Sequence, residues 1–97
     1  MRVLIIEDER PAAKRLKQLI LEYNPQAEIV ETIDSVEASV KYLRNFSAPD
    51  LIFMDIQLAD GLSFDIFTQT EVSTPVIFTT AYDQYTLKAF KVNSIDY

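Results

Sequence analysis

The stretch LIFMDIQLADG, residues 51–61, decides the fold class and raises the question of function. Four consecutive apolar residues, 51–54, predict a buried strand, because such short runs bounded by turn residues are typical of strands covered on both faces. Asp55 follows at once. A carboxylate beside apolar surroundings must be paired, bind a metal ion or take part in chemistry. Taken alone, Asp55 is explained equally well as a turn or helix-capping residue.

Strand and helix patterns alternate along the rest of the chain. Strands are predicted at residues 3–6, 27–33, 51–54 and 76–79, and helices at 11–23, around 64–67 and at 83–92. A further helix follows Asp34, which we expect to cap it, with Glu37 completing a capping box. The order βαβαβαβα predicts an α/β fold with a doubly wound parallel sheet. In such sheets, functional sites form at the carboxyl ends of the strands.

Composition excludes several classes of function. The 97 residues form one domain and contain no cysteine and no histidine, which excludes disulfides, thiolate metal sites and imidazole-dependent catalysis. A single glycine excludes a glycine-rich phosphate loop. The net charge of −6 argues against direct binding of nucleic acid by this segment. No signal peptide or membrane span is visible, so we expect a cytoplasmic protein without membrane contact.

Acidic residues follow two of the predicted strands. The first strand ends in Glu7-Asp8-Glu9 and the third in Asp55. If these strands are neighbours, Glu7, Asp8 and Asp55 converge at one edge of the sheet, where like charges repel each other strongly. A hard divalent cation with oxygen ligands relieves that repulsion. Mg²⁺ is the expected ion, because it prefers a few carboxylates together with water and phosphate.

These motifs resemble the receiver domain of two-component response regulators. The matching stretches are IIEDE, LIFMDIQLADG and VIFTTAY, and the longer stretches EDERPAAKRL and VIFTTAYDQYTLKAFKVNSIDY resemble receivers of the LytTR (LytR/AlgR) type. The resemblance implies a flavodoxin-like receiver fold over residues 1–97 with strand order 2-1-3-4. Receivers carry a lysine three residues beyond the position of Tyr97, so the resemblance also implies that the fifth strand and fifth helix are missing and the domain is incomplete.

The resemblance assigns roles to the acidic residues. Asp55 would accept a phosphoryl group from a sensor histidine kinase. Asp8 and Asp55 would bind Mg²⁺ directly, Glu7 would bind it through water, and the backbone carbonyl of Gln57 would be a further ligand. Such a receiver is not an enzyme acting on a separate substrate, since it promotes only its own aspartyl phosphorylation and dephosphorylation.

The resemblance also implies a switch and an output. Thr80 and the backbone N–H of Ala81 would contact the phosphate, and Tyr97 would be the aromatic side chain that turns inward. DNA would be bound only through a C-terminal domain of the parent protein, whose transcription-regulating activity the receiver controls. With the fifth strand missing, strand 76–79 becomes an exposed edge, so we expect self-association.

Two other classes of function share part of this sequence pattern. A metal-dependent phosphohydrolase also uses an aspartyl nucleophile, but it has a second Asp two residues later as general acid, where this chain has Gln57. A degenerate receiver that serves only as a dimerisation module would have a broken acidic site, and here the acidic residues are intact.

Overall fold

The computed structural model describes residues 1–79 and 94–96. Alternating elements form the first part of this range, and most of their bounds match the predicted ones within two residues. The strands are β1 (Arg2–Ile6), β2 (Glu28–Ile33), β3 (Leu51–Met54), β4 (Gln57–Leu58), β5 (Gly61–Leu62), β6 (Val76–Phe78) and β7 (Ser94–Asp96). The helices are α1 (Arg10–Tyr23), α2 (Val36–Asn45) and α3 (Phe64–Gln69). The helix predicted at 83–92 lies outside the described residues.

One parallel sheet organises the domain, with strand order β2-β1-β3-β6-β7. Ile6 of β1 lies opposite Met54 of β3, and Met54 lies opposite Phe78 of β6. This register brings the carboxyl ends of the three central strands level with one another. The predicted doubly wound α/β fold is therefore confirmed, and the residues that follow Ile6 and Met54 meet at one edge of the sheet.

The fifth position of the sheet is occupied, so the prediction that the fifth strand is missing was wrong. Strand β7 pairs in parallel with β6, with Val76 opposite Ser94 and Ile77 opposite Asp96, and the register shifts between the two pairs. Even a strand of three residues gives partners to the backbone groups that β6 would otherwise expose. The expected self-association therefore loses its main physical reason, an unpaired β6 edge. It stays a prediction without that support.

The apolar core lies mainly between the sheet and helices α2 and α3. Leu4, Ile6, Ile52 and Met54 are completely buried in it, as the uninterrupted apolar runs predict for strands covered by helices. Alternation along β1 directs Val3 and Ile5 to the opposite face, where α1 lies, and both are also completely buried. The sheet is therefore covered on both faces along β1.

Helix α3 packs on the sheet through two aromatic side chains. Phe64 and Phe67 lie on one face of it, and both rings meet Phe78 of β6 edge to face, at centroid distances of 6.2 and 6.4 Å. Edge-to-face contacts of this kind add stability beyond the buried area. They attach α3, and with it the end of the loop that follows Asp55, to the sheet.

The predicted cap of α2 was wrong. Ser35, rather than Asp34, is the N-cap residue, and its Oγ accepts a hydrogen bond from the Ala38 N–H at 3.1 Å. The backbone N–H groups of the first two helical residues, Val36 and Glu37, donate instead to the carboxylate of Asp60. Since Asp60 is distant in sequence, no local capping pattern could show this arrangement.

Candidate functional site

Three acidic side chains meet at the carboxyl edge of the sheet. Glu7, Asp8 and Asp55 each place one carboxylate oxygen within 4.8 Å of the other two. Backbone hydrogen bonds continue the sheet through these residues: the Asp55 N–H donates to the Ile6 carbonyl at 2.9 Å, and the Glu7 N–H donates to the Ile33 carbonyl at 2.8 Å. The predicted convergence of the three carboxylates is confirmed, and it follows from the pairing of β1 with β2 and β3.

The three carboxylates differ in their access to water. Glu7 is only 9% exposed, whereas Asp8 and Asp55 remain partly accessible. The pKa of Glu7 is raised from 4.5 to about 7, mainly by burial and also by the negative charge of Asp55 and by hydrogen bonds with Asp55 and Asp8. A hydrogen bond from the Glu9 N–H to Glu7 Oε2, at 3.2 Å, opposes this rise. Near neutral pH, Glu7 therefore exchanges a proton and the cluster carries less than its full negative charge.

Asp55 is held by the start of the loop that it begins. Its Oδ1 accepts a hydrogen bond from the Ile56 N–H at 2.8 Å, which orients the carboxylate. The Ile56 carbonyl in turn accepts a bond from the Ser63 N–H at 2.7 Å, and the Ile56 side chain is completely buried. Asp55 thus combines a fixed orientation with access to solvent, which a residue that meets an incoming reactant requires.

Gln57 lies two residues beyond Asp55, in a short antiparallel hairpin. Strands β4 and β5 pair Gln57 with Leu62 and Leu58 with Gly61, so Ala59 and Asp60 form the turn. The Gln57 side chain is exposed, while the Leu58 side chain beside it is buried. The hairpin was not predicted, since two-residue strands leave no periodic pattern in the sequence.

The remaining predicted site residues follow the fourth predicted strand, 76–79, in the sequence. Thr80, Ala81 and Tyr97 lie outside the described residues. Thr79, the neighbour of Thr80, is described, and its N–H donates to the Met54 carbonyl at 3.0 Å. The end of β6 therefore lies beside the end of β3, where Asp55 begins its loop.

Two residues near the site were not assigned a role from the sequence. Arg15 lines a cavity of about 180 Å³ together with Glu7 and Thr79, although its place on the polar face of α1 indicated only a solvated cation. Asp60, in the hairpin turn, bonds the first residues of α2, and the two backbone N–H groups lower its pKa. For Asp60, the turn motif ADG offered a sufficient local explanation, so nothing in the sequence indicated a longer-range contact.

The donor set fits a hard divalent cation. Three carboxylates within 4.8 Å of one another supply oxygen ligands only, which Mg²⁺ prefers over nitrogen and sulfur. The same arrangement disfavours full ionisation in the absence of a cation, as the raised pKa of Glu7 shows. The acidic cluster is therefore suited to bind a cation and, with it, an anionic group.

The chain belongs to the response regulator receiver domain family, whose family model matches residues 3–97. Among its relatives are LytT-type sensory transduction proteins: the chain is 40% identical to LytT of Bacillus cereus and 41% identical to LytT of Enterococcus faecalis, each over 100 residues. These matches confirm the LytTR-type resemblance. Each covers the whole chain but 40% of the relative, so the chain spans less than half the length of these proteins.

Solved receiver structures agree with the fold. The response regulatory domain of mrkE from Klebsiella pneumoniae is 31% identical and superposes with a TM-score of 0.82, over 100% of this chain and 80% of that one. The N-terminal domain of a response regulator from Carboxydothermus hydrogenoformans is 29% identical with a TM-score of 0.76, over 100% and 79%. The response regulator MaeR, bound to beryllium trifluoride, is 27% identical with a TM-score of 0.69, over 86% and 69%.

The structure also bears on membrane association. No helix in the described part of the chain combines the length and the apolar character needed to cross a bilayer.

Proposed function

We propose that this receiver domain accepts a phosphoryl group on Asp55 from a sensor histidine kinase and thereby switches the output of a larger regulator. The observation that carries the proposal is the convergence of Glu7, Asp8 and Asp55 at the carboxyl edge of the sheet. A receiver domain is a signalling module. Within the cluster, the Asp55 carboxylate follows a central strand, is oriented by a backbone hydrogen bond and is accessible to solvent.

The role of Asp55 follows from what phosphoryl transfer requires. The reaction depends on positioning and on neutralising charge more than on covalent assistance by the protein. The Ile56 N–H orients the Asp55 carboxylate, and the Asp55 N–H fixes its backbone to β1. The binding of beryllium trifluoride by the related receiver MaeR supports the proposal, because this group resembles a phosphoryl group in shape.

In the proposal, Asp8, Asp55 and the backbone carbonyl of Gln57 hold Mg²⁺ directly, and Glu7 holds it through water. Bound Mg²⁺ neutralises negative charge on the carboxylates and on a phosphoryl group. Ionised Glu7 is the stronger acceptor for a metal-bound water and is favoured by a nearby cation, so proton and cation compete at this residue. Buried Glu7 thus makes occupation of the site dependent on pH.

The switch is proposed on the family resemblance. Thr80 and the Ala81 N–H would bind the phosphate, and the ring of Tyr97 would turn inward as Thr80 moves. Phosphorylation adds about 1.5–2 negative charges at Asp55, which would favour the state in which these donors lie close to it. The hydrogen bond from the Thr79 N–H to the Met54 carbonyl, beside Asp55, supports this part of the proposal.

The proposed partners follow from the relatives. A sensor histidine kinase would supply the phosphoryl group, and a C-terminal domain, in proteins as long as the LytT relatives, would bind DNA and regulate transcription. The net charge of −6 makes direct DNA binding by the receiver itself unfavourable. Such regulators act in the cytoplasm, which we propose as the location of this one.

Phosphorylation by acetyl phosphate tests the proposal. The protein is incubated with Mg²⁺ or with EDTA, and the phosphoryl adduct is measured by intact-mass spectrometry in the wild type, Asp55→Asn and Asp50→Asn. Asp50 is the matched control because it precedes the other end of β3 and its carboxylate accepts a bond from the Arg2 N–H, which Asn can also accept. We expect Mg²⁺-dependent adducts in the wild type and Asp50→Asn and none in Asp55→Asn. An adduct on Asp55→Asn would show that another group is the acceptor.

A further inference from the structure

The carboxylate of Asp60 connects the hairpin turn to the start of α2. Its Oδ1 accepts a hydrogen bond from the Val36 N–H at 2.6 Å, and its Oδ2 accepts one from the Glu37 N–H at 3.1 Å. The backbone adds a longer contact beside them, from the Ala59 N–H to the Asp34 carbonyl at 3.4 Å. Two carboxylate oxygens on two successive N–H groups form a bidentate contact that restricts the direction as well as the position of the turn.

These bonds complete the hydrogen bonding of the first turn of α2. Ser35 Oγ accepts from the Ala38 N–H and the Ser35 carbonyl accepts from the Ser39 N–H, at 3.1 Å each, and Asp60 supplies the acceptors for the two N–H groups before them. A negative charge at a helix N-terminus is also favourable. Helix α2 packs into the core through Val36 and Val40, both of which are 6% exposed. The turn is thereby attached to an element that the core holds in place.

The turn that Asp60 holds belongs to the loop of the acidic site. Leu58 and Gly61 pair across it, and Gln57 precedes Leu58 in the same strand. The side chain of Gln57 is exposed, so the position of its backbone depends on its neighbours. These are the buried side chains of Ile56 and Leu58 and the pairing within the hairpin. A hairpin of two-residue strands is weak on its own. An anchor at its turn therefore contributes directly to the position of the Gln57 carbonyl.

We propose that Asp60 is a positioning residue for the cation site: by bonding the N-terminus of α2, it holds the β4–β5 hairpin so that the Gln57 carbonyl points to a cation shared with Asp8 and Asp55. This inference rests on the proposed function, in which that carbonyl is a metal ligand. Groups that orient metal ligands from outside the coordination sphere contribute about 10–100-fold to metal affinity. Asp60 is expected to contribute about tenfold.

A simpler role is that Asp60 only caps α2. In that case any loss of capping at this helix end would have the same effect on the site. Ser35 makes the distinction possible, because its side chain caps the same turn through the Ala38 N–H and so bonds within α2 rather than to the hairpin. Ser35→Ala and Asp60→Ala both weaken the helix start, and only Asp60→Ala releases the hairpin.

Isothermal titration calorimetry with MgCl₂ measures the consequence in the wild type, Ser35→Ala, Asp60→Ala and Asp60→Asn. We expect the Mg²⁺ dissociation constant to rise about tenfold in Asp60→Ala and to stay unchanged in Ser35→Ala. Asp60→Asn keeps one acceptor oxygen and should lie between the wild type and Asp60→Ala. Equal weakening by Ser35→Ala and Asp60→Ala, or no weakening by Asp60→Ala, would overturn the proposal.

Hydrogen exchange separates failure of this inference from failure of the proposed function. Without Mg²⁺, Asp60→Ala should speed exchange of the backbone amides of β4 and β5 relative to Ser35→Ala, whatever the wild type binds. If exchange there is the same in both variants, Asp60 does not position the hairpin. If exchange differs but the wild type takes up no Mg²⁺ and gains no phosphate with acetyl phosphate, the proposed function fails, and with it the link from hairpin to cation.

Discussion

Replacing Glu7 by glutamine should stabilise the protein in the absence of divalent cations, by an amount that grows as the pH rises above 4.5 and is complete above about pH 7. Glutamine has nearly the shape of glutamic acid but cannot ionise. The wild-type side chain is buried beside Asp55 and Asp8, and this raises its pKa from 4.5 to about 7. Between pH 4.5 and about 7, the folded state therefore retains a proton on Glu7 that the unfolded chain has already released. The free energy of unfolding of the wild type should fall across that interval and stay low above it.

The size of the effect follows from the same values. The difference of about 2.5 pH units between 4.5 and about 7 corresponds to an upper limit of about 3.4 kcal/mol. Asp8 and Asp55 are partly accessible, so solvent screens their contribution, and we expect about 1–2 kcal/mol. Below about pH 4, wild-type Glu7 is protonated in both the folded and the unfolded state, so the two proteins should be equally stable.

Urea unfolding in EDTA, followed by circular dichroism from about pH 5 to about pH 8.5, measures the difference. Glu9→Gln is the matched control, since Glu9 lies two residues away and is exposed. We expect the pH-dependent fall to disappear in Glu7→Gln and to persist in Glu9→Gln. Parallel pH profiles for the wild type and Glu7→Gln would refute the assignment of a retained proton to Glu7.

Three further predictions concern the site, its loop and the sheet. Asp55→Asn should remain folded and gain up to about 1 kcal/mol in EDTA, because it removes a charge beside Glu7; urea unfolding that shows a loss would contradict this. Gly61→Ala should cost about 1–3 kcal/mol in the same assay, because Gly61 has a φ of +147°, which side-chain-bearing residues rarely adopt. The amides of Val76 and Ile77 should exchange slowly, because β6 pairs with a strand on each side; exchange as fast as in an exposed edge strand would contradict the position of β7.

The acidic cluster could be predicted because it depends on few steps. Two short apolar runs indicate central parallel strands, and the carboxyl ends of neighbouring parallel strands lie side by side. Glu7, Asp8 and Asp55 then converge whatever the details of the loops. The raised pKa of Glu7 could not be predicted in the same way, since it depends mostly on how deeply one side chain is buried.

Long-range contacts that do not follow from the pairing of the strands could not be predicted. Asp60 bonds Val36, 24 residues earlier, and the local sequence explained each of these residues in another way. The competing cap residue Asp34 stands next to Ser35, and both are residue types that favour helix N-caps, so the pattern alone could not choose between them. Strand β7, at the edge of the sheet, has one apolar residue, Ile95, and so lacks the apolar run by which the central strands were recognised.

A crystal structure of the protein grown with Mn²⁺ and beryllium fluoride would show the proposed phosphoryl acceptor and cation site together, because Mn²⁺ replaces Mg²⁺ and gives an anomalous signal. We expect beryllium bonded to an Asp55 carboxylate oxygen, with Mn²⁺ beside it and bound by Asp8, Asp55 and the Gln57 carbonyl. A beryllium adduct on another carboxylate, or a Mn²⁺ ion at this edge without a bond to Asp55, would contradict it.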